Sequence, residues 1–466
     1  MAIYEEELYQ EPRERRLEEM VSPRVCLVMS RFYPLFGGHI VQMMYFLPRL
    51  QAQGIPAFVV TGMVEGDPKT KSVRDLLRGL REDAQGSFGA RLVGAVRAFI
   101  GSWRQTFRFI RQNPGCFRRP SLTVDGVDIY RLPTWGPLQS IRARFLAFSV
   151  AWFLIINRRE YDVIHLVGTG WHTPASILLA KLLRKKTVVE MVLLGSDDPE
   201  TIARRRLGRV NLAVWRRADR IASLSPALTD SCRRMNVPEE KLVVIPVGVD
   251  IERFSPLPDD EAKRRQRQEL ALPQNSKLAV FVGGIMKRKG VDLLIDAWSL
   301  VRKEEPDAHL VCVGSIAFSA DSRVFYEEQK QKIAGLELED AITFTGRVEN
   351  MAAYYQAADV FVLPSVSEGL PNSVLEAMSC ELPPVMSDIP GISRAIIRTR
   401  DEGTVFGERA PAALAAALLE LLQDDGRRVE VGRNARRRII EAYSLTYRTE
   451  QYKALYRELL LEWGKV

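Results

Sequence analysis

The chain has 466 residues and a net charge of +8, with 66 lysines and arginines against 58 aspartates and glutamates. This length is too great for one hydrophobic core, so we expect two domains of roughly 200 residues each. The five cysteines are scattered and include no Cys-x-x-Cys pair, which argues against a disulfide framework or a cysteine zinc site and indicates a reducing compartment.

The positive charge belongs to the first half of the chain. Residues 1–250 carry 37 basic and 25 acidic side chains, a net charge of +12, and the remainder carries 29 and 33, a net charge of −4. Residues 1–20 are charged throughout and lack an apolar core, so we expect a tail and not a signal peptide. The longest apolar run, 145–156, is shorter than the roughly 20 residues that span a bilayer, so we predict no transmembrane segment.

Apolar runs that alternate with helical stretches predict a Rossmann-like domain over residues 21–250. Its first strand is RVCLVMS, and later strands are DVIHLV, KTVVEMVLL, ADRIASLS and KLVVIPVG. Strands that are apolar on both faces are typical of a parallel sheet covered by helices on both sides. We therefore expect helices on each face of this sheet.

The pattern restarts after a charged connector at 255–270 and predicts a second Rossmann-like domain over 251–440, followed by a C-terminal helix at 441–466. The strands of this domain are KLAVFVGG, AHLVCVGS, AITFTG, DVFVLPS and LPPVMS. The predicted fold class is α/β, with two doubly wound domains facing across a cleft. Because ligands bind beyond the carboxyl ends of parallel strands, the strand-end loops of both domains form the candidate site.

A basic amphipathic insertion is predicted at about 85–160 of the first domain. No acidic residue occurs between Asp83 and Asp125, and 91–112 has helical periodicity. One face of this helix would carry Leu92, Val96, Phe99, Ile100, Trp103, Phe107 and Ile110. The flank opposite most of that face would carry Arg97, Arg104, Arg108 and Arg111.

This pattern is typical of a segment that lies in the interface of an anionic membrane. The residues expected at the lipid are Arg97, Trp103, Arg104, Phe107 and Arg108. The alternative is ordinary domain packing with solvated arginines. The run at 145–156 could add to the membrane contact, but a buried helix is the preferred interpretation. Because the sequence has no nucleic-acid recognition motif, we expect no nucleic-acid partner.

Two glycine-containing turns are candidates for binding phosphate. Gly37 and Gly38 follow the first strand, where a backbone without side chains lets a phosphate approach a helix N-terminus. In FVGGIMKRKG, Gly283 and Gly284 end a strand of the second domain, and the basic triplet Lys287-Arg288-Lys289 follows. The alternatives are a plain tight turn at the first position and a solvated basic turn at the second.

The stretch SEGLPNSVLEAM, 367–378, places two carboxylates on either side of a turn that enters a helix. Glu368 lies in the loop and Glu376 on the helix, so each can bind hydroxyl groups while the amides between them bind phosphate. A capping box is the alternative, but it would explain Glu376 alone. The candidate donor-binding residues of this block are Glu368, Gly369, Leu370, Pro371, Asn372, Ser373 and Glu376.

Together these motifs resemble the retaining glycosyltransferases of family 4, also called group 1 glycosyl transferases, which have the GT-B fold. The resemblance rests on the Glu-x7-Glu block, VGG…KRKG, ADRIASLS, VIPVGVDIERF and YPLFGG, in order from about residue 24 to about residue 460. It implies that Glu368 contacts the transferred sugar, Glu376 the nucleotide ribose and Lys289 the donor diphosphate. It also places Gly37 and Gly38 beside the donor phosphates, and the C-terminal helix across the first domain.

The chain departs from the family at several positions. Gly284 stands where the family commonly has an arginine, so Lys287 or Arg288 is expected to supply the charge. CELPPV, with Glu381, replaces the usual CGLPVV. The strand-end histidine near the reacting sugar has no equivalent in VVEMVLLGSDDP, and His165 is the nearest candidate; a structural role is the alternative.

The sequence therefore predicts a retaining, hexosyltransferase-type enzyme that transfers sugar from a UDP- or GDP-linked donor to a glycan or lipid-linked acceptor. Its expected catalytic residues are Glu368, Lys289 and His165. No cofactor or metal is expected, because Lys289 and helix N-termini can neutralise the leaving diphosphate. The expected location is the cytoplasm, and the basic amphipathic segment adds the inner face of the membrane as a candidate site. The alternatives are a non-catalytic nucleotide-sugar-binding scaffold subunit and a GT-B epimerase.

Overall fold

In a computed structural model of the chain, two compact units are formed. The first unit runs to Leu224 and also holds Leu228–Ile245 and Thr449–Val466, and the second holds Ser225–Ala227 and Pro246–Arg448. The final residues of the chain thus belong to the first unit. The residues whose structure is described are 22–30, 32, 38–62, 104, 106–112, 115–135, 139–205, 207–316 and 320–464.

The described part of the first unit contains a twisted sheet with the strand order β3-β4-β2-β1-β5-β6-β7-β8. Every neighbouring pair is parallel except β3 and β4, which form an antiparallel hairpin that the sequence analysis did not predict. Its turn residues Asp125 and Gly126 have positive φ angles of 49° and 79°, the geometry that Asp-Gly favours. The strands are β1 (Val25–Met29), β2 (Ala57–Gly62), β3 (Leu122–Val124), β4 (Val127–Leu132), β5 (Val163–Val167), β6 (Lys186–Met191), β7 (Arg220–Ser223) and β8 (Leu242–Val244).

Helices cover this sheet. They are α1 (Gly38–Ala52), α2 (Gln139–Ile156), α3 (His172–Leu182), α4 (Pro199–Arg204), α5 (Gly208–Trp215) and α6 (Pro226–Arg234), and residues 106–112 are also helical. The run 145–156 lies within α2 and is buried on one side only, since Phe153 and Leu154 are buried but Phe148 and Trp152 are exposed. The preferred interpretation of this run as a buried helix is therefore wrong for its outer side.

The described part of the second unit contains a parallel sheet with the order β11-β10-β9-β12-β13-β14. Its central strands are apolar and fully buried, as their unbroken apolar sequences predict. The strands are β9 (Leu278–Val282), β10 (His309–Val313), β11 (Ile342–Gly346), β12 (Val360–Leu363), β13 (Pro384–Ser387) and β14 (Thr404–Phe406).

The helices that follow α6 complete the chain. They are α7 (Asp260–Glu269), α8 (Val291–Glu304), α9 (Ala320–Gly335), α10 (Met351–Ala357), α11 (Asn372–Ser379), α12 (Ser393–Ile396), α13 (Pro411–Gln423), α14 (Asp425–Ala442) and α15 (Leu445–Gly464). No helix in the described part of the chain is long and apolar enough to cross a membrane.

Each sheet has a point where the direction of winding reverses. In the first unit β1 connects to β2 on one side and β5 connects to β6 on the other, so the reversal lies between β1 and β5. In the second unit it lies between β9 and β12. Loops that leave the carboxyl ends of such strand pairs form the usual ligand site of an open α/β sheet.

Candidate active site

The two motifs predicted for the second unit follow the two strands at its reversal point. The basic turn Lys287–Lys289 comes after β9, and the Glu368 loop comes after β12. A main-chain hydrogen bond of 2.8 Å, donated by Val366 to the carbonyl of Arg288, joins the two loops. Topology and hydrogen bonding thus bring together segments that lie nearly eighty positions apart in the sequence.

Lys289 and Glu368 form a close ion pair in this site. The Lys289 Nζ donates a hydrogen bond of 2.7 Å to Oε1 of Glu368, whose side chain is nearly buried. Arg288 lies 3.5 Å from the same oxygen and also donates to the Ser367 carbonyl. An ammonium group held beside a strand end, next to a shielded carboxylate, can exchange that carboxylate for a ligand phosphate.

The conformation of the basic turn depends on Gly290. Its φ angle is +72°, and a Cβ at this position would lie 2.1 Å from the carbonyl oxygen of Pro364 at the end of β12. Gly314 is similarly tight, because its Cβ would lie 2.0 Å from the Gly283 carbonyl oxygen. Glycine at these positions lets the loops after β9, β10 and β12 approach one another.

Glu376 lies on the second turn of α11, with its carboxylate held from a neighbouring helix. The Tyr355 hydroxyl on α10 donates a hydrogen bond of 2.9 Å to Glu376 Oε2. Burial raises the pKa of Glu376, and the Tyr355 hydrogen bond and the charge of Arg253 oppose that rise. The sequence analysis missed Tyr355, because no pattern in the sequence links α10 to the Glu-x7-Glu block.

The N-terminus of α11 begins at Asn372 without a side-chain cap. Its N-cap residue is Pro371, which has no side-chain oxygen to accept from the first amides, so the helix lacks the N-cap residue that the alternative, a capping box, requires. Uncapped amides at a helix start attract anions. The predicted donor-binding residues Gly369 and Leu370 lie in the loop that leads to this N-terminus.

The predicted residues of the first unit are only partly described. Gly38 begins α1, whereas Gly37 lies outside the described residues. Arg97 and Trp103 also lie outside the described residues. The remaining members of the predicted membrane set, Arg104, Phe107 and Arg108, are helical and exposed.

His165 occupies a structural position in β5. Its imidazole is fully buried, its Nδ1 lies 2.6 Å from the Tyr456 hydroxyl on α15, and its Nε2 lies 3.3 Å from Glu190. The Tyr452 hydroxyl donates a hydrogen bond to the same carboxylate. A side chain without accessible surface cannot contact a substrate, so the structural alternative holds and His165 is not retained as a catalytic candidate.

Two polar side chains that the sequence analysis did not single out lie at the reversal point of the first sheet. Asp197 is buried and accepts hydrogen bonds from the amides of Thr169 and Leu193, which ties the loops after β5 and β6 together. His172 is buried at the start of α3, and burial lowers its pKa to about 4. The signal in the sequence was a histidine five residues after a strand end.

The described residues contain no group of three or more histidine, cysteine, aspartate or glutamate side chains placed to hold a metal ion. Cationic side chains are present in this site. Lys289 and Arg288 surround Glu368, and Lys287 is exposed on the same turn.

Solved structures show the same architecture. Sucrose-phosphate synthase from Thermosynechococcus elongatus has a TM-score of 0.68, covering 94% of this chain and 100% of that one at 20% identity. HepE of Anabaena in complex with UDP has a TM-score of 0.68, covering 93% of this chain and 99% of that one at 16% identity. With two Rossmann-like units, the chain has the GT-B fold of glycosyltransferases.

Sequence comparison identifies the family. The D-inositol 3-phosphate glycosyltransferase of Kineococcus radiotolerans is 30% identical over 352 residues, covering 68% of this chain and 78% of that protein. The enzyme of the same name from Pseudarthrobacter chlorophenolicus is 28% identical over 295 residues, covering 60% and 68%. The family descriptions "Glycosyl transferases group 1" and "Glycosyl transferase 4-like domain" match residues 262–438 and 37–248. The chain belongs to the group 1 glycosyltransferases of family 4, which confirms the resemblance seen in the sequence.

Proposed function

We propose that this glycosyltransferase takes a hexose from a UDP- or GDP-linked donor and transfers it, with retention of configuration, to a hydroxyl of a glycan or lipid-linked acceptor. The observation that carries the proposal is the ion pair of Lys289 with Glu368, 2.7 Å long, at the reversal point of the second sheet. Each part of a sugar nucleotide has a partner here. Lys289 and the uncapped N-terminus of α11 match the diphosphate, Glu368 matches the sugar, and Glu376 matches the ribose.

In this proposal the diphosphate replaces Glu368 as the partner of Lys289. The ammonium group and the first amides of α11 then stabilise the negative charge that develops on the leaving diphosphate. This supply of positive charge is the reason why we propose that no metal is required. Glu368, released from Lys289, can accept hydrogen bonds from hydroxyls of the transferred sugar.

Glu376 would bind the ribose hydroxyls. Its hydrogen bond from Tyr355 leaves Oε1 free of that contact and fixes the orientation of the carboxylate. Retention is proposed to follow a front-face reaction, in which the departing phosphate assists the incoming acceptor hydroxyl. The acceptor is proposed to bind the first unit, which is the basic half of the protein.

Relatives and neighbours support these assignments. The relatives in Kineococcus and Pseudarthrobacter are named for sugar transfer to D-inositol 3-phosphate, an acceptor with several hydroxyls and an anionic group. HepE of Anabaena was solved with UDP and with UDP-glucose. We propose a cytoplasmic location at the inner face of a membrane, where a lipid-linked acceptor would be available.

A non-catalytic scaffold subunit is the second candidate, because Gly284 replaces the arginine that is common in the family. Arg288 argues for the enzyme. Its guanidinium group lies 3.5 Å from Glu368 and supplies a second cation to the same site.

A thermal-shift panel of UDP, GDP and their hexose conjugates tests the proposed donor site. We expect one nucleotide to raise the free energy of unfolding of the wild type by about 2.7 kcal/mol at a hundredfold excess over Kd, and so to raise its Tm. Lys289→Ala and Glu376→Ala should each lose most of that shift, because they remove the diphosphate and ribose contacts. Lys303→Ala and Glu408→Ala, which alter exposed residues of the same unit, should keep it.

The outcomes separate the candidates. Unchanged shifts in both Lys289→Ala and Glu376→Ala would refute the proposed donor site. A normal shift without slow hydrolysis or transfer of the donor sugar, measured by release of free nucleoside diphosphate, would favour the scaffold subunit.

A further inference from the structure

Three neighbouring helices of the first unit expose apolar side chains on their outer sides. Helix α2 packs against α3, and α3 packs against α5; α2 also contacts β4, and α3 contacts β5 and β6. The three helices therefore lie side by side over one sheet. We call their outer side the three-helix surface, defined by Phe148 and Trp152 of α2, Leu178 and Leu182 of α3, and Leu207 and Val210 at the start of α5.

These side chains are unusually open to solvent for their size. Phe148 is 66% exposed, Leu182 79% and Leu207 64%. On α2 the spacing from Phe148 to Trp152 is one helical turn, so the two aromatic rings form a stripe along the helix. Scattered exposed apolar residues are normal, but stripes on adjacent helices form a patch, and such patches mark interaction sites.

The charged side chains of the three helices are all basic; outside the helices, the exposed Glu160 follows α2 and Asp219 pairs with Lys181 at 2.7 Å. None of α2, α3 and α5 contains an aspartate or a glutamate. Arg142 and Arg144 lie in the first turns of α2, and the exposed Arg158 and Arg159 follow its last turn. Lys181 and Arg209 lie on α3 and α5. A strip of apolar side chains bordered by cations complements the acyl region and headgroups of an anionic bilayer.

The patch is continuous from α2 to the strand-end loop after β5. The Arg144 guanidinium lies 4.8 Å from the centre of the Trp171 ring, and both side chains are exposed. The helical residues 106–112 lie beside α2, because Thr106 and Ser149 donate hydrogen bonds to the successive carbonyls of Thr134 and Pro133. Phe107 on that segment is exposed as well.

We propose that the three-helix surface docks the protein on an anionic lipid bilayer, with its aromatic and leucine side chains inserted at the headgroup level. This inference builds on the proposed function, since a lipid-linked acceptor would be presented at that bilayer. It assigns the membrane contact to α2, α3 and α5, which extends it well beyond the predicted segment 91–112. The arginines oppose a second copy of the chain as occupant, because a symmetric pairing would bring like charges together.

Co-sedimentation with vesicles tests the surface in the full-length protein. The wild type should bind phosphatidylcholine vesicles that contain phosphatidylglycerol, bind weakly to pure phosphatidylcholine, and lose affinity as salt is added. The triple variant Phe148→Ser, Trp152→Ser, Leu182→Ser should bind at least about tenfold more weakly, because three inserted side chains are lost. Arg158→Glu with Arg159→Glu should weaken binding to anionic vesicles only.

Matched controls come from the second unit. Val324→Ser and Val429→Ser remove exposed apolar side chains there and should leave vesicle binding unchanged. Every variant should keep the thermal shift caused by the donor nucleotide, because none touches the Lys289–Glu368 site. Absence of a nucleotide-induced thermal shift in the wild type would refute the proposed function. Absence of vesicle binding by the wild type, with a normal nucleotide shift, would refute only the docking surface.

Three results would overturn the proposal. Equal vesicle binding by the wild type and the triple variant would exclude the three-helix surface. A wild-type dimer that becomes monomeric in the triple variant, seen by analytical ultracentrifugation without vesicles, would assign the surface to a second copy. A large fall in Tm of the triple variant would show that the side chains are covered within the chain itself.

Discussion

At the residue scale, the Lys289–Glu368 pair stabilises the second unit before any donor binds. Glu368 is only 8% exposed, so the negative charge of its carboxylate is compensated mostly by Lys289. Arg288 lies at the longer distance of 3.5 Å. Removing one partner of such a pair leaves a shielded charge poorly compensated.

We predict that Lys289→Gln lowers the free energy of unfolding of the second unit by about 2 kcal/mol. The change is measured by urea denaturation, with hydrogen exchange in β9 and β12 as the readout for the second unit. Lys287→Gln serves as the matched control, because Lys287 is exposed on the same turn and should change stability by less than about 0.5 kcal/mol. Equal stability of both variants would show that Arg288 alone compensates Glu368.

His172 should make the first unit sensitive to acid. Burial lowers its pKa from 6.5 to about 4, so the folded state favours the neutral imidazole. As the pH falls, the unfolded chain binds a proton at His172 before the folded state does. The free energy of unfolding is therefore highest above about pH 6.5 and decreases as the pH falls from about 6.5 to about 4. Over that range it amounts to about 3 kcal/mol.

We predict that His172→Gln flattens this dependence. The difference in the free energy of unfolding between pH 7 and pH 4 should be smaller in the variant than in the wild type by about 3 kcal/mol. Urea midpoints of the first unit across that pH range measure it. Parallel curves for the two proteins would mean that His172 does not titrate on unfolding in this range.

At the element scale, the end of α11 shows how a departure from the family affects local structure. The amide of Leu382 donates to the Ala377 carbonyl and the amide of Glu381 to the Met378 carbonyl, the hydrogen bonds of a Schellman motif. Glu381 has a φ angle of 59°, a left-handed conformation that glycine adopts without strain. The family usually has a glycine at this position, so the substitution is strained in this chain.

We therefore predict that Glu381→Gly stabilises the second unit by about 1 kcal/mol, because the relief of strain exceeds the added freedom of the unfolded chain. The Tm of the second unit and its urea midpoint should both rise. The reference substitution is Glu430→Gly within α14, which should destabilise by about 1 kcal/mol, because glycine disfavours a helix interior. A fall in stability for Glu381→Gly would show that Glu381 makes contacts that outweigh its strain.

The elements also show what could be predicted from the sequence. Buried strands such as β1, β9 and β12 have unbroken apolar sequences, so their existence and parallel pairing were predictable. The hairpin β3–β4 was missed although its Asp-Gly turn is a recognised signal. The exposed side of α2 was not predictable, because apolar residues occur on every side of this helix and give no periodicity to distinguish its buried side from its exposed one.

At the scale of the whole molecule, the chain's last helix contributes to the core of the first unit. Tyr452 and Tyr456 on α15 are fully buried, and their hydroxyls contact Glu190 and His165 on β6 and β5. Without α15, two buried polar groups of the sheet would lose their partners and become exposed or unsatisfied.

We predict that deletion of residues 449–466 destabilises the first unit and leaves the second folded. Hydrogen exchange should accelerate by several orders of magnitude in β5 and β6, and stay protected in β9 and β10. As a control, Glu458→Ala removes only a surface ion pair with Arg220 and should change protection little. Equal loss of protection in both units would mean that the two unfold as one cooperative unit.

The sequence by itself determined the alternation of strands and helices, the two Rossmann-like domains and the family, and it singled out Glu368, Glu376 and Lys289 as candidates. These features are local: apolar runs, glycine turns and a fixed Glu-x7-Glu spacing can be recognised in short windows. Only the tertiary structure decided that Lys289 pairs with Glu368, that Tyr355 holds Glu376, that His165 is buried by α15, and that α2, α3 and α5 expose one apolar surface. Each of these depends on contacts between distant segments, whose partners are set by strand order and packing and leave no pattern in the sequence.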